Sequence, residues 1–206
     1  MRAQLIAAAV FIALTGAASA ETRDVTGFTG VSASDRIRVI VAVGESYRVD
    51  VTGSEADKVS TRVNDDGTLL IRRTNRRFWG GTPAIDATVR IAMPRVESLG
   101  SSRGAELSAT GVTAQAMSLA ASMGGELEVA GVCNTLEAAA SMGGVIDAEA
   151  LQCENADVSA SMGGEARVYA SDRIDVAATM GGAVQLAGGG RNGDVALSMG
   201  GTLDRD

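Results

Sequence analysis

A tetrapeptide repeat constrains the second half of this sequence more than any other feature. Ser-Met-Gly-Gly occurs at 122–125, 141–144, 161–164 and 198–201, and Thr-Met-Gly-Gly occupies 179–182. Successive copies start 19, 20, 18 and 19 residues apart, and a degenerate copy, Ser102-Arg103-Gly104-Ala105, lies 20 residues before the first. Such a period is typical of a chain that winds in similar coils, each stacked on the last.

The alternation of residue types within each repeat predicts short β-strands. Before each Met, apolar residues alternate with small or polar ones, and after the glycines apolar residues such as Leu127 and Val129 alternate with Glu126 and Glu128. Strand side chains alternate between two faces, so the apolar set should fill the interior. We therefore predict an all-β fold, a right-handed parallel β-solenoid (β-helix) with coils of about 19 residues.

The same alternation places the repeat methionines in the core. Counting back by twos from Met123 gives Ala121 and Leu119, which favours a gap-filling ladder of Met side chains. A stripe that binds Cu(I) is the alternative, because thioethers suit that ion. A calcium-binding solenoid is excluded, since it needs a nine-residue period with Asp at a fixed offset. We expect no metal site and no cofactor.

The paired glycines of each repeat are expected at corners of the coil, where a positive φ or a close backbone approach excludes most residues. These corner residues are Gly124, Gly125, Gly143, Gly144, Gly163, Gly164, Gly181, Gly182, Gly200 and Gly201. Small residues on the outward parity, such as Ala120 and Ser122, would form a flat strip. The strip is either an ordinary small-residue face or a surface that binds an ordered partner or another copy.

The two cysteines occupy equivalent positions in adjacent repeats. Cys133 and Cys153 each lie eight residues before the next Ser-Met-Gly-Gly. Equivalent positions on stacked strands are about 4.8 Å apart, which is within disulfide range. We predict a Cys133–Cys153 disulfide that contributes about 3 kcal/mol. A redox-active pair is the alternative, although the sequence lacks a Cys-x-x-Cys motif.

Residues 1–20 have the pattern of a signal peptide. Arg2 precedes an apolar run from Leu5 to Leu14, and Ala18-Ser19-Ala20 fits a cleavage site before Glu21. An uncleaved anchor is the alternative, but the run is too short to span a bilayer. We expect the mature chain to lack a transmembrane segment and to be exported to the periplasm, the cell surface or the medium.

Charge and composition exclude several classes of function. Residues 102–206 carry 5 basic and 14 acidic side chains, which argues against nucleic acid as a partner. The chain has no His, so it lacks the commonest general base and metal ligand. Little variation in coil length leaves no long loop to wall a catalytic cleft. We therefore expect a non-enzyme, with a polysaccharide-processing enzyme on a β-helix scaffold as the alternative.

Residues 21–98 lack the repeat but contain strand-like segments. Predicted strands cover 37–43, 47–52, 68–71 and 87–93, and only 54–59 could form a helical turn. We therefore divide the chain into a signal peptide (1–20), a β-rich N-terminal part (21–98) and the repeat solenoid (99–206).

The order of these segments resembles that of a known family. The matching stretches are Gly27-Phe28-Thr29-Gly30-Val31, Val43-Gly44, Tyr47-Arg48-Val49-Asp50-Val51, Asp66-Gly67-Thr68-Leu69-Leu70-Ile71, Val89-Arg90-Ile91-Ala92-Met93-Pro94 and Ser98-Leu99-Gly100-Ser101-Ser102. In this order they resemble the putative auto-transporter adhesin, head GIN domain family. The resemblance implies a single β-helical domain of an adhesin-like surface protein. Met-Gly-Gly stands here where the family has Gly-Ser-Gly corners.

One segment departs from the acidic character of the chain. Arg72, Arg73, Arg76 and Arg77 precede Trp79, the only tryptophan. Arg side chains beside an aromatic ring suit an anionic glycan or envelope component, and we predict a ligand loop here. In the alternative, Phe78 and Trp79 cap the core and the arginines face water. Self-association is a further possibility for a flat solenoid surface.

Overall fold

A computed structural model describes residues 21–74 and 85–205. The fifteen strands of the described residues belong to one sheet, and the only helix within them is a 3-10 turn, Ala56–Lys58. The N-terminal strands are β1 (Glu21–Arg23), β2 (Gly30–Ala33), β3 (Arg38–Val43), β4 (Arg48–Thr52), β5 (Val59–Val63), β6 (Thr68–Arg73), β7 (Thr88–Met93) and β8 (Ser98–Ser102). The predicted strands and helical turn of this part are confirmed within a few residues at their ends.

The repeat region forms the predicted stack of parallel coils. Its strands are β9 (Glu106–Ser122), β10 (Glu126–Ser141), β11 (Val145–Ser161), β12 (Glu165–Thr179), β13 (Ala183–Ala187), β14 (Arg191–Ser198) and β15 (Thr202–Arg205). Each pairs in parallel with the equivalent strand of the next coil, in a register that follows the repeat. The β-solenoid prediction is therefore confirmed, with about five turns.

The N-terminal part contributes coils to the same sheet. Strands β2 and β3 stack on β8 and β9 on one side, and on β6 and β7 on the other, always in parallel. The coil that comes first in the sequence therefore lies between two later ones. Strands β1, β4 and β5 add antiparallel pairs next to the outer coil and finish this end of the sheet.

Small aliphatic side chains stack in continuous inward rows. One such row, matched in register, contains Leu107, Leu127, Ile146, Ala166 and Val184, and all five are buried. Burial of each Leu, Ile or Val side chain contributes about 1.5–3 kcal/mol. Rows of this kind form the core of a chain in which aromatic residues are only 3%.

The corner of each repeat is a two-residue left-handed turn. In the first, Met123 and Gly124 have φ of 49° and 72°, and the Gly125 N–H donates to the Ser122 carbonyl over 2.9 Å. Two positive φ values with this hydrogen bond define a type I′ turn. The other four copies and the degenerate copy at Arg103-Gly104 repeat the geometry.

The turn overturns the inward placement of the methionines. Met123, Met142, Met162, Met180 and Met199 are 43%, 47%, 47%, 47% and 72% exposed, whereas Ala121 and Leu119 are buried as expected. Alternation between faces holds only while the backbone is extended. The left-handed φ at Met ends the alternation one residue early, so the side chain turns outward.

The two corner glycines are needed for different physical reasons. Gly143 has a φ of +71° with no heavy atom within 4 Å of an added Cβ, so only its backbone conformation favours glycine. Gly144 lies against the preceding coil, where an added Cβ would be 2.4 Å from the carbonyl carbon and oxygen of Ala121. The second glycine therefore permits the close contact between coils.

The disulfide links adjacent coils as predicted. Cys133 and Cys153 are register partners on β10 and β11, are joined through their sulfur atoms, and have Cα atoms 4.5 Å apart. Both side chains are buried, and neither cysteine of the chain is free. The bridge ties together the two central coils of the repeat region.

The corner geometry predicts unequal costs for two neighbouring substitutions. Gly144→Ala should lower the free energy of unfolding by about 3 kcal/mol, because its Cβ would overlap an immobile backbone. Gly143→Ala should cost about 1 kcal/mol, the strain of a left-handed alanine. Urea denaturation of both variants tests this, and equal costs would contradict the assignment of close approach to Gly144.

Candidate functional site

A groove of about 900 Å³ crosses several coils of the described residues. It lies along the long strands just after the register shifts that follow Val129 in β10 and Ala148 in β11. Its floor is an in-register row of Ala114, Cys133 and Cys153. Small side chains and the disulfide therefore produce a shallow, rigid floor.

Polar side chains with planar amide groups line the groove. The Asn134 Nδ2 donates to the Gln115 Oε1 on the neighbouring coil over 2.9 Å. A second row, exposed except for the half-buried last member, runs in register from Thr113 through Val132 and Gln152 to Tyr169. Successive members of these rows are about 4.8 Å apart, and all offer amide, hydroxyl or aromatic groups except the apolar Val132.

Four charged side chains line the groove. Arg95 pairs with Glu97 at a Nε–Oε1 distance of 3.0 Å, and Glu137 and Glu154 add two carboxylates. Three acidic side chains against one basic side chain disfavour an anionic ligand here. The arrangement suits a neutral molecule with many hydroxyl groups, which amides can bind through both donors and acceptors.

The groove was missed by the sequence analysis, which looked for long loops as the walls of a cleft. Here the concavity comes from bends within the strands and needs no loop. One signal was available: Gln115, Asn134 and Glu154 all lie seven residues before a repeat Ser. Among the described residues, no group of three His, Cys, Asp or Glu side chains is arranged to hold a metal ion.

Only part of the predicted ligand loop, which contains the four arginines and Trp79, lies within the described residues. Arg76, Arg77 and Trp79 lie outside them, as does the predicted signal peptide. Arg72 is exposed at the end of β6, whereas the Arg73 side chain is only 12% exposed and lies 3.9 Å from the Glu55 carboxylate. Arg72 is therefore the member of the pair that faces solvent.

Two further arginines lie at the corners of the next two coils along the stack. Since Ala33 pairs with Ile71, Arg72 directly follows the strand segment that stacks on the end of β2. The next corner along the stack contains Arg36, and the following one contains Arg103. Both are exposed, and Arg103 lies 3.7 Å from the buried Asp35. We name Arg36, Arg72 and Arg103 the arginine corner.

The small-residue strip lies on an outward face next to an acidic row. Ala120, Ala139, Ser159 and Ala177 are in register and exposed. The adjacent row ends at Asp175, which accepts hydrogen bonds from Arg173 Nε over 2.9 Å and from the Asp194 N–H over 2.6 Å. These bonds, that from Arg173 first, lower the Asp175 pKa to about 2.

The Asp175 contacts predict a pH dependence of the last coil. A pKa lowered in the folded state from its ordinary value of 3.8 adds stability above 3.8, and this stability is lost as pH falls toward 2. Asp175→Asn should therefore lower the melting temperature at pH 7, and the difference from the unsubstituted protein should shrink between pH 4 and pH 2. In an Arg173→Gln background the loss at pH 7 should be smaller. A difference that is constant with pH would contradict this role.

No helix within residues 21–74 and 85–205 is long and apolar enough to cross a membrane. The family model described as putative auto-transporter adhesin, head GIN domain, matches residues 27–190. A search of curated protein sequences finds no match.

Two solved structures share the fold. A putative adhesin from Bacteroides fragilis NCTC 9343 has a TM-score of 0.69 at 15% sequence identity, and the match covers 91% of this chain and 96% of that chain. A putative adhesin from Parabacteroides merdae ATCC 43184 has a TM-score of 0.50 at 13% identity, with 91% of this chain and 95% of that chain covered. At these identities the likeness shows the fold alone.

Proposed function

This chain belongs to the putative auto-transporter adhesin, head GIN domain family, and we propose that it is a non-catalytic, exported protein of the cell envelope or surface that binds a neutral glycan chain. The signal-peptide pattern of residues 1–20 and the disulfide support export, because disulfides persist in oxidising compartments. The adhesin names of the family and of the structural relatives support binding as the general role.

The groove carries the proposal. Its amide and hydroxyl side chains stand in rows at a spacing of about 4.8 Å, close to the length of one sugar residue in an extended chain. Gln115, Asn134 and Gln152 offer donors and acceptors to sugar hydroxyls, and the half-buried Tyr169 offers an aromatic face. Because the floor is fixed by the disulfide, the groups are ordered before a ligand binds, which lowers the entropy cost of binding.

Substitutions in the groove test this function. Gln152→Ala with Tyr169→Ala should weaken the retention of the protein by neutral polysaccharides at least about tenfold, a loss of about 1.4 kcal/mol. Affinity electrophoresis in gels that contain soluble glucans or N-acetylhexosamine polymers measures the effect.

The matched control is Gln185→Ala, which removes a glutamine from a different outward face. This variant should keep full retention. Equal retention of all variants, or no retention of the unsubstituted protein by any neutral polymer, would exclude the groove as a glycan site. Cleavage of a polymer during the same assay would instead support the enzyme alternative.

The arginine corner favours a second candidate, binding of an anionic glycan or envelope component. Three exposed arginines on adjacent coils stand out in a chain with a net charge of −7. Guanidinium groups bind carboxylate, sulfate and phosphate groups through charge-assisted hydrogen bonds. The acidic rows elsewhere would disfavour anions and so confine them to this corner.

Salt dependence distinguishes this second candidate. Arg36→Ser with Arg72→Ser should weaken binding to a sulfated polysaccharide such as dextran sulfate several-fold at low salt, and the binding should depend less on ionic strength. Arg191→Ser, which removes one exposed arginine from the last coil, is the control. Equal weakening by Arg191→Ser would mean that net charge, and no particular corner, determines binding.

A further inference from the structure

We propose that the corner methionines form a binding site for a soft monovalent metal ion, Cu(I) or Ag(I). Met123, Met142, Met162, Met180 and Met199 lie on one edge of the solenoid, which we name the methionine edge. Their φ values lie between 46° and 49°, and the first four are 43–47% exposed. Each coil therefore presents its thioether from the same backbone geometry and on the same side.

Backbone hydrogen bonds hold the methionine edge in register. In four of the five repeats, the N–H of the first corner glycine donates to the Met carbonyl of the next coil, as from Gly124 to Met142 over 3.3 Å and from Gly143 to Met162 over 3.2 Å. Gly163 and Gly181 repeat the contact with Met180 and Met199 over 3.2 Å and 3.1 Å. The thioethers are therefore carried on a rigid ladder.

The backbone at these positions disfavours methionine. The left-handed conformation costs a residue with a Cβ about 1–2 kcal/mol, and type I′ turns prefer Asn, Asp or Gly at this position. Core packing does not offset the cost, since the side chains point outward. Methionine nevertheless occupies this strained position at five consecutive corners. Strained residues of this kind concentrate at functional sites. The thioether is the one property that Met has and the favoured residues lack.

The chemistry of the edge matches a soft ion. Thioether sulfur prefers Cu(I) among biological metals, and Ag(I) shares that preference. The Cα atoms of register partners on adjacent coils are about 4.8 Å apart, and the flexible Met side chain lets neighbouring sulfurs converge on one ion. Competing soft ligands are few, because both cysteines are in the disulfide and the chain has no His.

This proposal takes up the Cu(I) alternative, which the expected inward placement of the methionines had disfavoured. It is also independent of the glycan groove, because the groove lining contains none of the five corner methionines. The test therefore separates the two functions.

Titration with Ag(I) tests the site. Ag(I), added as silver nitrate in chloride-free buffer, needs no reductant, so the disulfide stays intact. Native mass spectrometry should show about one or two bound ions per chain, since soft ions take two to three thioethers each. Replacing all five corner methionines with Leu should weaken this binding at least about tenfold. The matched control is Met93→Leu with Met117→Leu, two buried methionines, which should keep full binding.

A second set of substitutions distinguishes the loss of thioether ligands from misfolding. Asn at the five positions suits the left-handed turn, so this variant should melt at a higher temperature than the unsubstituted protein and should still lose the ions. In the unsubstituted protein, the methyl resonances of the exposed methionines should shift with Ag(I), while those of Met93 and Met117 stay. Ion binding that survives in the Asn variant, or no binding by the unsubstituted protein, would overturn the proposal.

Discussion

The left-handed corner is the constraint on which the rest of this structure depends. A two-residue turn with both φ values positive turns the chain through a corner from one strand of the coil to the next. The glycine after it lets the chain pass against the backbone of the preceding coil. These two conditions fix where each coil starts, and the parallel register of β9 to β15 follows from them. The disulfide and the groove depend on this register, since both need equivalent residues to lie side by side on adjacent coils.

The repeat predicted the features that recur from coil to coil, and the prediction was wrong where the backbone leaves the extended conformation. Equal offsets of Cys133 and Cys153 were enough to predict the disulfide, and alternation identified buried residues of β9 such as Leu119 and Ala121. The same alternation failed at Met123, because a positive φ there was not visible from residue type; Met is uncommon in that conformation. The groove escaped prediction for a related reason: the alternation breaks between Cys133 and Leu136, where Asn134 and Thr135 are both exposed, and the repeat alone did not reveal this bend.

Pairing between distant segments could not be predicted from the sequence. The strands of residues 21–98 could be predicted one by one, but the placement of β2 and β3 between β6–β7 and β8–β9 could not. That placement depends on which edges meet in space, and no local pattern encodes it. It is nevertheless what brings Arg36 and Arg103 to the same edge as Arg72, although they lie far apart along the chain.

The two ends of the described solenoid differ in how well they are covered, and this difference has a bearing on function. Strands β1, β4 and β5 flank the N-terminal coils, whereas Val195 and Leu197 of β14 point inward but remain 40% and 47% exposed. In a stack whose coils contact only their neighbours, a coil with neighbours on both sides is held by more contacts than a coil with one. The groove spans the disulfide-linked coils, each of which pairs on both sides, so its polar rows are supported from two directions. The methionine edge extends from these coils to Met199, its most exposed member, so an ion should settle among the central thioethers, which are more covered.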